Sequence, residues 1–167
     1  VAERSLAWLA QSTDAIVVVA RSTDSPLARF AASRSYVVVC PALSDANQAG
    51  MGISLAYGAS CVIERFPAAD TVVIALADMP WVRPATVAML VTRSQTLDAI
   101  VQPAYNGDKG HPVVFPARYL SELAACSADV GAKHILRAHA SNVLALDVDD
   151  AGVIRDVDVP EDINPTR

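Results

Sequence analysis

The chain has 167 residues and a net charge of −5, with 53% hydrophobic and 19% charged residues. This length and composition fit one compact α/β domain that buries a full core without disulfides or structural metals. The charge argues against nucleic acid as a partner, because duplex binding depends on clustered Lys and Arg. The apolar stretches are too short for a membrane span, and Cys40, Cys61 and Cys126 indicate reduced core residues of a cytoplasmic protein rather than a zinc site.

Apolar runs and turn residues predict helices that alternate with strands along the whole chain. This alternation favours βαβ units and a parallel sheet with right-handed crossovers. A turn at 106–110 separates two strands that pair as a hairpin, so the sheet is predicted to be mixed. Helices are predicted at 1–9, 26–35, after the glycines up to 65, and at 84–93, 116–125 and 130–140, the last with Asp129 as N-cap; strands are predicted at 15–20, 36–40, 71–77, 99–103, 111–115, 143–148 and 153–159. No linker or repeat interrupts the chain, which predicts a single domain.

Residues 71–77, with no charge and four β-branched side chains, predict a central strand that is buried on both faces. Asp78 follows this strand, and Pro80 prevents the ladder from continuing. Ligands of open parallel sheets bind beyond the carboxyl ends of the strands, which is where Asp78 is expected. The alternative is that Asp78 only makes a local turn before a helix at Pro84, and the residues alone leave these two interpretations about even.

Gly50 and Gly52 flank one residue just before a predicted helix. A backbone without side chains can approach a ligand closely at such a place. The Gly-Lys-Ser/Thr ending of the phosphate loop of nucleoside triphosphatases is absent from the sequence. A tight turn is the favoured interpretation of this pair when it is taken alone.

Asp156 and Asp158 alternate with valines in the predicted strand 153–159, so both carboxylates would point to one face. Carboxylates from distant segments that meet usually need a cation, and Mg²⁺ is a hard ion that prefers oxygen. Asp78 and Asp158 are therefore the candidate metal ligands, the alternative being a solvated edge strand. Turn formation is favoured for the other acids of this segment, which are Asp147, Asp149 and Asp150.

The histidines and lysines give weaker signals. His134 and His139 are five residues apart, the wrong spacing for two ligands on one helix face, and are predicted to be surface or packing residues. His111 could reach a cleft or belong to a turn. Lys109 and Lys133 could meet an anionic substrate or be solvated at the surface. No serine lies in the pattern of a hydrolase triad.

Five segments in this order resemble the MobA-like nucleotidyltransferase family, and most closely its molybdenum cofactor cytidylyltransferase branch. The resemblance extends over nearly the whole chain. The segments are Asn47 with Gly-Met-Gly-Ile-Ser-Leu at 50–55, Leu-Ala-Asp-Met-Pro at 76–80, Gly-His-Pro-Val-Val-Phe at 110–115, Asp-Val-Gly-Ala-Lys at 129–133 and Asp-Val-Asp-Val-Pro-Glu-Asp at 156–162.

The resemblance implies a Rossmann-like, three-layer α/β/α fold with a mostly parallel mixed sheet, of the nucleotide-diphospho-sugar transferase type. It implies an enzyme that moves CMP from CTP to a phosphate acceptor such as molybdopterin or the molybdenum cofactor. Mg²⁺ is the implied cofactor and pyrophosphate the released product. A molybdoenzyme is the implied protein partner.

By the same resemblance, Asp78 and Asp158 are the catalytic and metal-binding acids. The residues implied to contact the nucleotide are Asn47, Gly50, Met51, Gly52 and Ser54. Those implied to contact the acceptor are Gly110, His111, Pro112 and Lys133. The chain departs from the family pattern by Ala77 in place of Gly, Lys133 in place of Arg and Val159 in place of Thr. The family's first strand and its glycine-rich, basic loop are expected upstream of Val1.

Three alternatives stay open from the sequence. A guanylyl donor, or a sugar or alcohol phosphate as acceptor, would suit the same fold. A non-catalytic nucleotide-binding domain would bind CTP without releasing pyrophosphate. An unrelated doubly wound domain would use its acids only in turns, with Asp78 and Asp158 pointing away from each other.

Overall fold

The computed structural model describes residues 1–42, 50–127 and 131–157. Helices and strands alternate in these ranges as the sequence predicts. Helix α1 spans Ala2–Ala10, α2 Pro26–Ser33, α3 Met51–Arg65, α4 Pro84–Leu97, α5 Leu120–Ala124 and α6 Lys133–Ala138. Strand β1 spans Val17–Val19, β2 Val37–Val39, β3 Thr71–Ile74, β4 Ile100–Tyr105, β5 Asp108–Lys109, β6 Val113–Pro116 and β7 Val143–Asp147. Short 3₁₀ helices lie at Ala117–Tyr119, Ala140–Asn142 and Ala151–Ile154.

Two helix starts follow directly from local sequence. In α2, the Ser25 hydroxyl accepts a hydrogen bond from the Ala28 N–H at 3.1 Å, and Pro26 occupies the first turn. Helix α4 begins at Pro84, as predicted, and ends at Leu97, because the C-cap residue Asp98 has a φ of 48° that breaks the helical conformation. Proline suits a first helical position because the N–H that it lacks would have no partner within the helix.

The described strands form two sheets. Strands β1 and β2 pair in parallel, from Val17 opposite Val37 to Val19 opposite Val39. The larger sheet has the order β3-β6-β4-β5, and β7 pairs in parallel with β4. Strands β5 and β6 are both antiparallel to β4. The fold is thus α/β with a mixed sheet, as predicted, although two of the four strand pairs whose directions are described here are antiparallel, so the sheet is less parallel than expected.

The described residues pack as two compact units. The first contains residues 1–14, 73–115 and 143–157, and the second contains 15–42, 50–72, 116–127 and 131–142. The single-domain organisation expected from the sequence stays a prediction.

The first unit buries its apolar residues in clusters around α4. One cluster contains Trp8, Met79, Val82 and Val87, and another contains Leu90, Val101 and Val114. These side chains come from α1, from the loop after β3, and from α4, β4 and β6. The core therefore fixes the loop that carries Asp78 to the helix that follows it.

In the second unit, helix α3 packs against β1, β2 and α5. The close approach to β1 is visible at Gly58, where a Cβ would lie 3.2 Å from Val19 Cγ2. Leu123 and Ile135 are buried completely. This packing sets the direction of α3, whose first turn contains the glycine motif.

The predicted strand at 153–159 is wrong for its described part. Residues Ala151–Ile154 form a 3₁₀ helix, and the following residues through Val157 have no regular structure. The cause is Asp150, whose carboxylate accepts a hydrogen bond from the Gly152 N–H and turns the chain. The argument that strand alternation places Asp156 and Asp158 on one face therefore fails.

The predicted central strand at 71–77 is shorter and less buried than expected. Strand β3 ends at Ile74, and each of its residues is half-buried. Ala77 and Asp78 form a turn, and the carbonyls at 77 and 79 accept hydrogen bonds from side chains of α1 instead of from a strand.

The predicted helix at 130–140 starts later than expected. It begins at Lys133, because Gly131 has a φ of 54°, which is incompatible with a right-handed helix. The N-cap predicted at Asp129 lies outside the described residues.

Candidate functional site

Asp78 lies in an exposed turn just beyond β3. The carbonyls of Ala77, Asp78 and Met79 each accept a hydrogen bond from a residue far away in sequence. The donors are Ser5 Oγ to Ala77 at 3.0 Å, the Val157 N–H to Asp78 at 2.9 Å and Trp8 Nε1 to Met79 at 3.0 Å. The loop backbone is thus held from outside while the carboxylate of Asp78 faces solvent.

The exposed carboxylate of Asp78 suits a hard divalent cation as a ligand. Mg²⁺ keeps several waters and is bound through one or two carboxylates together with substrate phosphates. An exposed carboxylate on a fixed backbone meets this requirement. Within the described ranges, no group of three or more His, Cys, Asp or Glu side chains could form a complete protein cage.

For Asp158, the proposed metal-binding partner of Asp78, the structure describes the chain up to the preceding residue. The Val157 N–H bonds to the Asp78 carbonyl, and Asp156 is exposed. Asp158 is the next residue in the sequence and lies outside the described residues. The chain leading to it is therefore anchored at the Asp78 loop, whereas the common metal site stays a prediction.

The Gly110-His111-Pro112 segment interrupts the return strand of the hairpin. Ala104 pairs with Lys109, and Val101 pairs with Val114. Between these two pairs, the returning chain therefore has two residues more than β4. Here the His111 N–H donates to the Val153 carbonyl at 2.8 Å, and the His111–Pro112 peptide bond is cis.

Burial separates the three residues of this segment. Gly110 and Pro112 are buried, and His111 is half-buried. Gly110 is required because a Cβ there would lie 2.0 Å from the Val153 carbonyl oxygen. Of the three residues in this segment that are predicted to contact the acceptor, His111 is the one whose side chain is partly exposed.

The glycine motif forms the first turn of α3 in the second unit. Gly50 is the N-cap, with φ of −126° and ψ of 167°, and Gly52 is buried. Met51 is 50% exposed, and Ser54 is also exposed. The first N–H groups of a helix have no partner within it, so this end can receive an anion. Asn47, predicted to contact the nucleotide, lies outside the described residues.

The second unit also brings the Gly131 segment to the start of α3. A Cβ at Gly131 would lie 3.1 Å from Met51 Sδ, and the Gly131 carbonyl lies 3.1 Å from His134 Nδ1. Lys133 is exposed at the beginning of α6. Two segments predicted to belong to the site are thus neighbours, although they are about 80 residues apart in the sequence.

Sequence reasoning missed the role of Asp150. Asp147 and Asp149 are exposed, in agreement with turn acids, but Asp150 is 2% exposed. Its carboxylate accepts hydrogen bonds from the Arg83 and Gly152 N–H groups and from the Thr86 hydroxyl. The Asp-x-Gly spacing indicates the local turn, but no local pattern indicates the two bonds to the start of α4.

His134 is exposed and His139 is half-buried, in agreement with the surface or packing roles predicted for them. His139 Nε2 lies 2.9 Å from a Glu122 carboxylate oxygen, and its ring meets Tyr119 edge-on. Cys61 and Cys126 are buried and Cys40 is half-buried. Burial raises the pKa of both the Cys61 and Cys126 thiols, so neither is an activated nucleophile.

No helix within the described ranges is long and apolar enough to cross a membrane.

Comparisons with known proteins identify the family and the fold of the chain. The profile of the MobA-like NTP transferase domain matches residues 1–143. No protein of curated function matches the chain in sequence. Rv0371c of Mycobacterium tuberculosis H37Rv, solved in complex with manganese, is 24% identical with a TM-score of 0.72, and the match covers 97% of this chain and 82% of that one.

Two further solved structures share the fold at lower identity. A 4-diphosphocytidyl-2C-methyl-D-erythritol synthase is 15% identical with a TM-score of 0.66, covering 97% of this chain and 86% of that one. Molybdopterin-guanine dinucleotide biosynthesis protein A of Archaeoglobus fulgidus is 16% identical with a TM-score of 0.59, covering 95% and 80%. These structures show the Rossmann-like fold, and the profile match shows that the chain belongs to the MobA-like NTP transferase family of nucleotidyltransferases.

Proposed function

We propose that this enzyme transfers CMP from CTP to a phosphate acceptor such as molybdopterin or the molybdenum cofactor, with Mg²⁺ and release of pyrophosphate. The observation that carries the proposal is the Asp78 loop, in which three consecutive carbonyls are held by distant donors while the carboxylate is exposed. A metal-binding acid needs this combination of fixed backbone and accessible oxygens.

The reaction would be an in-line attack by an acceptor phosphate oxygen on the α-phosphorus of CTP. Positioning and charge neutralisation provide most of the rate in such transfers, because the protein has little covalent chemistry to perform. Asp78, with Asp158, would hold Mg²⁺, and the bound ion would offset the negative charge of the phosphate oxygens.

The other predicted residues would bind and orient the two substrates. The N–H groups at the start of α3 would contact the nucleotide phosphates, together with Asn47 and Ser54. Lys133 would meet an anionic group, and His111 would contact the acceptor. Gly110 and Pro112 would shape that side through the backbone, since both are buried.

CTP is the proposed donor because the five sequence segments most resemble the cytidylyltransferase branch. GTP is the second candidate, since one structure with this fold is named for molybdopterin-guanine dinucleotide biosynthesis. A molybdoenzyme that receives the finished cofactor is the proposed protein partner.

Pyrophosphate release tests the proposal. The protein is incubated with molybdopterin, Mg²⁺ and CTP, GTP, ATP or UTP in turn, and pyrophosphate is measured with and without the acceptor. We expect acceptor-dependent release that is fastest with CTP. Release that is fastest with GTP would reassign the donor, and CTP binding without any release would support a non-catalytic nucleotide-binding domain.

A further inference from the structure

Asp150 is a buried carboxylate that lies apart from the proposed metal, nucleotide and acceptor contacts. Its Oδ2 accepts hydrogen bonds from the Arg83 N–H at 2.9 Å and the Thr86 hydroxyl at 2.7 Å, and its Oδ1 accepts one from the Gly152 N–H at 3.0 Å. Burial of a charged carboxylate is unfavourable unless hydrogen bonds satisfy the charged form, as they do here. Asp150 is therefore a strong anchor for the chain on either side of it.

The surroundings of Asp150 add to this anchor unequally. Arg83 Nε lies 3.9 Å from Oδ1, but the arginine side chain is 62% exposed, so this ion pair contributes little. The carboxylate also lies at the beginning of α4, where the helix dipole favours a negative charge. Thr86 is 6% exposed, so its hydroxyl has little access to water as an alternative partner.

Residues 150–157, which we call the clasp segment, continue from this anchor across the start of α4. A Cβ at Gly152 would lie 2.3 Å from the Trp81 carbonyl oxygen, so the backbones are in direct contact. The guanidinium carbon of Arg155 lies 4.5 Å from the centre of the Trp81 ring. The clasp segment is thus fixed at Asp150 and pressed onto the residues after the Asp78 loop.

The clasp segment contacts the backbone of both predicted site segments in the first unit. The Val153 carbonyl accepts a hydrogen bond from the His111 N–H at 2.8 Å. Four residues later, the Val157 N–H donates to the Asp78 carbonyl at 2.9 Å. A displacement of this short stretch would therefore move or release both loops together.

We propose that Asp150 is a positioning residue of the transferase reaction, which anchors the clasp segment and so sets the spacing between Asp78 and His111. The inference rests on the proposed function, in which Asp78 holds the metal and His111 contacts the acceptor. Small displacements of groups that orient reactants reduce the rate even when they lie away from the reacting atoms. Asp150 itself is not among the residues proposed to contact either substrate.

Four variants separate positioning from plain stability. In Asp150→Asn, either orientation of the amide directs its NH₂ group at a backbone N–H, that of Arg83 or that of Gly152, so at least one hydrogen bond is lost. Thr86→Val removes one donor at nearly constant shape, and Thr86→Ser keeps the hydroxyl. Asp149→Asn is the matched control, because Asp149 is the exposed neighbour in the same turn.

Amide hydrogen exchange measures the link without any assay of activity. In Asp150→Asn and Thr86→Val, we expect the Val157 and His111 N–H groups to exchange about tenfold faster than in the wild type, the factor that corresponds to one lost hydrogen bond. Thr86→Ser and Asp149→Asn should keep the wild-type exchange rates.

Kinetics then test whether the link serves the reaction. With rates corrected for the folded fraction, Asp150→Asn and Thr86→Val should raise the half-saturating Mg²⁺ concentration and the KM for molybdopterin, whereas Thr86→Ser should restore both. A purely structural residue would lower only the amount of active protein. Unchanged half-saturation, KM and amide exchange in these variants would overturn the inference.

Two further outcomes are also decisive. If Asp150→Asn does not fold, the contrast between Thr86→Val and Thr86→Ser decides. If the wild type releases no pyrophosphate, the proposed function fails and the catalytic role of Asp150 fails with it. Faster exchange of Val157 and His111 would in that case still establish the mechanical link.

Discussion

The Asp78 loop and the glycine motif at the start of α3 are held by different kinds of hydrogen bond. Around Asp78, three successive carbonyls accept hydrogen bonds from Ser5, Trp8 and Val157, which belong to the two ends of the described chain. These bonds hold the backbone of the loop, and the Asp78 side chain is exposed. The position of this acid therefore depends on tertiary structure far from it in sequence.

Within the described residues, hydrogen bonds of the helix itself hold the glycine motif at the start of α3. Gly50 has no side chain to cap α3, and its carbonyl accepts from the Ile53 and Ser54 N–H groups at 3.2 and 3.4 Å. Its neighbour Gly131 leaves room for the half-exposed Met51 side chain. The start of a helix presents backbone N–H groups because of the geometry of the helix itself. A loop that presents one carboxylate needs hydrogen bonds from other segments to fix its backbone.

The largest expected effect comes from the carboxylate that the first loop presents. Asp78→Asn should lower kcat by about 10²–10³-fold, because it removes charge where the reaction requires it. Asp78 is exposed, so the melting temperature should stay within error of the wild type. Pyrophosphate release and thermal unfolding measure the two quantities, with exposed Asp14→Asn as control; a fully active Asp78→Asn protein would refute the assignment.

Trp8 tests how strongly the Asp78 loop is held from outside. Trp8→Ala should reduce the free energy of unfolding by about 3–5 kcal/mol, because the 3% exposed side chain fills the core next to Met79. Trp8→Phe should cost about 1–3 kcal/mol, mainly by leaving the Met79 carbonyl without its donor. Urea denaturation of both variants separates packing from hydrogen bonding, and a Trp8→Phe protein as stable as the wild type would show that the hydrogen bond contributes nothing.

Gly110 tests the contact between the Gly110-His111-Pro112 segment and the clasp segment. Gly110→Ala should destabilise the protein by about 1–3 kcal/mol, because the new methyl group would meet the Val153 carbonyl oxygen. Gly58→Ala is the control, since its nearest contact is a side-chain methyl group at 3.2 Å and a helix favours Ala. Equal stability of the Gly110→Ala and wild-type proteins in urea would contradict the close approach.

Gly131 tests the backbone conformation beside the start of α3 in the second unit. Gly131→Ala should cost about 1–2 kcal/mol, because its φ of 54° is unfavourable for a residue with a Cβ. The contact with Met51 Sδ adds little, since that side chain is half-exposed and flexible. Restoring stability by Gly131→Asn, which tolerates this conformation better, would assign the loss to the backbone rather than to Met51.

The smallest effect is expected at alkaline pH and concerns the second unit. Burial raises the thiol pKa of Cys61 and Cys126 in the folded protein, so the unfolded chain loses these protons first as pH rises. Their contribution to stability is complete below the pKa of a free thiol, about 8.5, and is lost as pH rises from there through the raised pKa of the folded protein. Melting temperatures from pH 8 to 10 should fall less in a Cys61→Ala, Cys126→Ala double variant.

Much of the fold could be predicted from the sequence because its elements have local signals. Pro84 marks the start of α4, the turn at Asn106 marks the hairpin, and the predicted position of Asp78 beyond a strand is confirmed. The strand expected at 153–159 failed because alternating valines and acids resemble a strand whether or not a neighbouring strand pairs with them. Burial of β3 on both faces failed similarly, since composition cannot show what covers a strand.

The sequence by itself determined the family, the order of helices and strands, and the segments from which a site could be built. Tertiary structure alone decided that Asp150 and Pro112 are buried. It alone also decided which residues donate hydrogen bonds to the three carbonyls around Asp78. The physical reason is separation along the chain. The bonds from Ser5 to Ala77 and from Thr86 to Asp150 join residues 72 and 64 positions apart, and no local preference of either residue selects the other.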